Sequence, residues 1–185
     1  MKRGPMLYCA AMDAPRYKVL NVRGQTAFAD IDDETPLGGN AFTLDHSFRL
    51  RFLQDLIGGE GDDETQLGGL SASYAAKLVL NVVPRFPLHP LNHFGPLDWW
   101  AGVAVFQDES GEGDHFRYSS FYVGEIEQLA AWIEEKRQRS PPQEGRCEVA
   151  RVFVANATRA ARFVRDRAQE LGLPEASDFN PVEPR

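Results

Sequence analysis

An eight-residue phrase occurs twice in this chain. DDETPLGG fills positions 32–39 and DDETQLGG fills 62–69, with seven of eight residues identical at an offset of 30. Chance rarely repeats a phrase of mixed composition so closely, which points to internal duplication. The segments after the two copies match in pattern as well. After the first, Phe42, Leu44, His46, Phe48, Leu50 and Phe52 alternate with Thr43, Asp45, Ser47, Arg49 and Arg51. After the second, Ala72, Tyr74, Ala76, Leu78, Leu80 and Val82 alternate with Ser71, Ser73, Ala75, Lys77, Val79 and Asn81. Period-2 alternation marks a strand with one buried face. Segments 32–53 and 62–83 therefore read as one loop-and-strand unit used twice, with strands over 41–53 and 71–83. A helix over 47–57 competes, because Phe48, Phe52 and Leu56 are spaced by four and Gly58-Gly59 would stop it. The shared register favours strand. Thirteen residues in a strand would run about 43 Å, so a bend is expected near Asp45 to Ser47.

The rest of the chain supplies clearer signals. Tyr17–Val22 and Gln25–Ile31 flank an Arg23-Gly24 turn and read as a hairpin. Segment 84–98, PRFPLHPLNHFGPLD, holds four prolines and reads as a long ordered loop. Trp99–Phe106 and His115–Val123 form a second hairpin around the polar turn DESGEGD. Glu125–Gln138 reads as a helix with a stripe of Ile126, Leu129, Ala130 and Ile133. Cys147–Val154 reads as a strand. A last helix runs from a Thr158 cap to Leu171, buries Ala161, Val164, Ala168 and Leu171, and stops at Gly172. The expected fold is α+β: a mainly antiparallel sheet of about six or seven strands, with two helices in the C-terminal third. All 185 residues fit one domain, with 1–15 and 174–185 loosely ordered.

Charge and cysteine content narrow the functions. The net charge is -7. That argues against phosphate-rich partners, both nucleic acid and anionic membranes, since these need clustered Lys and Arg. Arg159, Arg162, Arg165 and Arg167 make the last helix locally basic, but Asp166 and Glu170 interrupt the run, so it reads as a solvated face. No apolar stretch is long enough for a membrane span, and the basic N-terminus lacks a signal-peptide core. Two cysteines, Cys9 and Cys147, suit reduced thiols and a cytoplasmic location.

Chemistry-bearing motifs are sparse. The chain has no G-x-S-x-G, no Walker loop and no G-x-G-x-x-G after a strand. The acidic phrases lack EF-hand spacing and read as solvated loops. His89 and His93 stand four apart in HPLNH, a spacing that lets two imidazoles share a zinc on a helix. Pro90 and Gly95-Pro96 allow at most one helical turn there, and no HExxH acid is present, so imidazoles bonded within the loop are the simpler reading. Asp98 lies at the end of the same segment. Trp99 and Trp100, adjacent on a strand, point to opposite faces, so one enters the core while the other is a candidate anchor for a partner. Together with His115 these residues form the candidate contact set. No catalytic residue, metal or cofactor is assigned.

Two functions remain open. The first is a non-catalytic interaction or assembly domain, acting through a protein partner or self-association. The second is a small metal-dependent or small-molecule-processing enzyme, with His89, His93, Asp98 and His115 converging near residues 84–100.

Overall fold

The computed structural model describes residues 44–58, 70–108, 117–139 and 147–173. Both DDETxLGG phrases, the 17–31 hairpin, Cys9 and His115 lie outside these residues. The duplication and the first hairpin therefore stand only as sequence observations.

The two expected strands after the acidic phrases are helices. Leu44–Ile57 is α1, and Gly58 closes it at a φ of +82°. Phe48, Phe52 and Leu56 do fall on one line of the helix, but Leu44, Leu50 and Leu53 are buried beside them. Such a helix is enclosed on several sides. Its apolar residues fill more than one stripe, and the period of 3.6 is lost in the sequence. Ala72–Val82 is α2. It buries Ala75, Ala76, Leu78, Val79 and Val82, a spacing that fits a helix face. Alanine and leucine are also strong helix formers. Pro84 ends the element as expected, inside a single 3-10 turn over Val83–Arg85.

The sheet has three strands among the described residues, not six or seven. They are β1 (Trp100–Asp108), β2 (Arg117–Gly124) and β3 (Cys147–Asn156), arranged β2-β1-β3 and antiparallel throughout. The expected hairpin is present, with Phe106 opposite Tyr118 and Val103 opposite Phe121. Between β1 and β3 the register slips after Val105, which leaves Ala150 as the extra residue of a bulge.

Between β2 and β3 the chain makes a 3-10 turn over Ile126–Gln128 and then α3, Leu129–Arg139. Within the expected stripe, Ala130 is exposed, while Ile133 packs as expected and Trp132 joins it. After β3 comes α4, Ala157–Glu170. Its cap is Asn156, whose side chain accepts a hydrogen bond from the Arg159 amide, rather than Thr158. Gly172, at a φ of +62°, and Leu173 close the helix by donating to the carbonyls of Gln169 and Ala168. Helices thus occur along the described chain, not only in its C-terminal third.

Alternation along the strands builds two apolar layers. Ala101, Val103, Phe121, Val123, Phe153 and Ala155 face α1, α2 and α4, where the larger core lies. Ala104, Phe106, Tyr118 and Val149 face α3 on the other side, with Phe106 stacked on Tyr118 at 4.9 Å. Phe48, Phe52, Leu53, Leu56 and Leu78 are almost completely enclosed, each contributing about 1.5–3 kcal/mol by burial. No described helix is long and apolar enough to cross a membrane.

Candidate functional site

The 84–98 loop joins α2 to β1 and crosses the helical layer. Phe86, Pro90 and Leu91 are buried and anchor it. A second single 3-10 turn, Pro90–Asn92, lies at its middle, within the one helical turn that its prolines allow. From this loop the candidate residues turn to separate partners.

His89 faces α1. Its Nε2 lies 2.8 Å from Asp45 Oδ1, and its Nδ1 accepts the Leu91 amide at 3.3 Å. With Nδ1 assigned as the acceptor, Nε2 carries a proton and donates to Asp45. Both nitrogens are therefore occupied, and among the described residues no hydroxyl or thiol is bonded to the ring. A base poised beside a nucleophile needs a free ring nitrogen.

Asp45 also pairs with Arg49 at 2.7 Å, one helical turn on. Burial pushes its carboxyl up. The His89 hydrogen bond and the Arg49 charge outweigh burial, and the net pKa lies below the usual 3.8. A depressed carboxylate stabilises the fold above its unfolded pKa, and that contribution fades as pH falls through the folded value. Asp45→Asn therefore loses about 1–2 kcal/mol at pH 7. The gap from wild type narrows below pH 3.8. Urea unfolding at pH 7 and in the acid range reads both values, and a gap that stays constant into acid contradicts the assignment.

His93 turns to the β1 side. Its ring stacks on Trp99 with centroids 3.9 Å apart, and its Nε2 donates to the Leu97 carbonyl at 2.8 Å. Gly95 makes room for the ring, since a Cβ there would come within 2.8 Å of the imidazole. Trp99 also stacks with Phe86 at 5.7 Å. Trp99 and Trp100 are both half-buried. Trp99 packs against the larger core; Trp100 begins β1 opposite Gly124 and Asn156.

Asp98 ends the loop at the β3–α4 corner. Its Oδ2 accepts from Asn156 Nδ2 at 2.8 Å. Its Oδ1 lies 3.0 Å from Arg162 Nη2, close in charge but without the alignment of a hydrogen bond. The backbone of Trp99 is tied to the same corner: its amide donates to Thr158 Oγ1, and its carbonyl accepts the amides of Ala157 and Thr158.

Three residues missed by the sequence reading hold the loop: Asp45, Thr158 and Arg165. The last was expected on a solvated face and instead lies beneath the loop, 7 % exposed. Its Nη1 donates to the carbonyls of Leu91 and His93 at 3.0 and 2.9 Å, and the Phe94 ring lies 4.3 Å from its guanidinium carbon. These partners stand 74 and 72 positions away, so no local pattern announces them. Among the described residues, no three metal-ligating side chains converge.

On its outer side the loop carries apolar residues. Leu88, Phe94 and Leu97 are 47 %, 42 % and 51 % exposed. Comparison of the chain with known protein families, curated proteins and solved structures finds no match.

Proposed function

We propose that this chain is a non-catalytic protein-interaction domain whose contact surface is the 84–98 loop. The observation that carries this reading is the concentration of Leu88, Phe94 and Leu97 on a single pinned loop. Single exposed apolar residues are ordinary on any protein. Here, three of the four large apolar side chains strongly exposed among the described residues fall between positions 88 and 97. The loop beneath them is held by Asp45, Arg165 and Thr158. A surface ordered in advance loses less entropy on binding, which favours affinity.

The enzyme reading required His89, His93 and Asp98 to converge. Their contacts diverge instead, to Asp45, to Trp99 and Leu97, and to Asn156 and Arg162. No observation favours that reading over the first.

The test is the triple variant Leu88→Ser, Phe94→Ser, Leu97→Ser. Leu88→Ser and Leu97→Ser each cost about 0.5 kcal/mol or less in stability, because surface positions tolerate substitution, and Phe94→Ser costs about 1–2 kcal/mol through its lost contact with the Arg165 guanidinium. Buried interface anchors contribute about 2 kcal/mol or more, so a partner retained by wild type binds the variant roughly 30-fold or more weakly. Quantitative capture from native lysate and light scattering against concentration cover a foreign partner and a second copy. A strictly monomeric wild type that retains nothing removes the proposal, as does equal retention by the variant.

A further inference from the structure

We infer that the loop's occupant is an acidic, apolar peptide segment of a partner protein, with an Asp or Glu side chain seated on the free edge of Arg165. This rests on the interaction reading above and specifies its ligand.

Arg165 is buried, yet no carboxylate among the described residues makes a contact ion pair with it. Guanidinium does not shed its proton at working pH, and buried charges are ordinarily paired. Its pKa is pulled below the ordinary 12.5, chiefly by desolvation, with Asp166 opposing that shift and Arg162 adding to it. Arg162 in turn faces Asp98. Among the described residues, the hydrogen bonds of Arg165 go to two backbone carbonyls, and both come from Nη1.

The unused atoms give the site its chemistry. Nε and Nη2 have no partner among the described residues, and neither is sealed from solvent. These two N–H groups form one of the planar edges that fit a carboxylate with two parallel hydrogen bonds. Nη1 and Phe94 hold the plane in place. Phe94 and Leu97 are exposed on the same loop, so a segment that brings an acid to Arg165 also meets apolar surface. The chain's net charge of -7 gives an acidic partner no long-range attraction. Recognition is therefore short-range and depends on the seated carboxylate.

Selection of a random twelve-residue peptide library on the full chain provides the probe. The expected result is a set of peptides sharing an Asp or Glu beside aliphatic or aromatic residues. Changing that acid to its amide weakens binding about tenfold or more, measured on unaltered protein, so misfolding cannot imitate the effect. In an Arg165→Met variant that keeps its melting midpoint, acid and amide peptides bind alike. If the selected peptides need Phe94 and Leu97 but tolerate the amide, the acidic ligand is wrong and the interaction surface stands. If no selected peptide weakens on Phe94→Ser with Leu97→Ser, both proposals fall.

Discussion

Gly102→Ala lowers stability by about 3 kcal/mol or more, at the upper end of overpacking effects. For a chain of this size that corresponds to a fall of roughly 6–12 °C in the melting midpoint. Gly102 sits in the middle of β1, opposite Tyr122 on one side and Val154 on the other. A Cβ there would overlap the Phe153 carbonyl oxygen and stand 2.7 Å from Val154 Cα. Both obstacles are backbone, so no rotamer change relieves them. The β1–β3 pairing must open, at the centre of a three-stranded sheet. Gly124→Ala is the informative control. Its Cβ would meet only the far end of the Tyr122 side chain, which can give way. Thermal melts of the two variants separate the cases, and a Gly102→Ala protein as stable as Gly124→Ala would refute the close backbone approach.

Leu53→Ala costs about 3 kcal/mol, within the range for a buried leucine. The position tests the helix directly. In a strand, Leu53 would share the outward face with Arg49 and Arg51. In α1 it is enclosed in the larger core with Phe52 and Leu56. Leu80 gives the reverse case: in a strand it would face inward with Leu78 and Val82, whereas in α2 it is exposed. Leu80→Ala therefore changes stability by only about 0.5 kcal/mol. Denaturant unfolding of both variants decides the matter. Equal losses, or a larger loss at Leu80, would restore the strands.

These two positions also show where the sequence misled. Alternation over 44–52 is real as a pattern but not as a structure, because a helix packed on several sides can carry apolar residues at even and odd positions alike. The 3.6 spacing of Ala75, Ala76, Leu78, Val79 and Val82 was present and outweighed by an apparent register shared with the first segment. The hairpin of β1 and β2 was legible because each strand sits between two helical layers and is rich in aromatic and β-branched residues. Gly172 was legible as a stop, since a left-handed residue after a helix favours glycine. At the site, the prolines correctly limited 84–98 to brief turns. Asp45, Thr158 and Arg165 were not readable, because each acts on a partner at least 44 positions away.

The distance between the loop and its anchors also sets an order of events during synthesis. Leu91 leaves the ribosome 74 residues ahead of Arg165, and Trp99 leaves 59 ahead of Thr158. At about 5–20 residues per second, the lag before Arg165 arrives is roughly 4–15 s. For that interval Leu88, Phe94 and Leu97 belong to a segment that has its Asp45 anchor but lacks those of Arg165 and Thr158, so its apolar side chains are exposed on a less ordered backbone than in the finished surface.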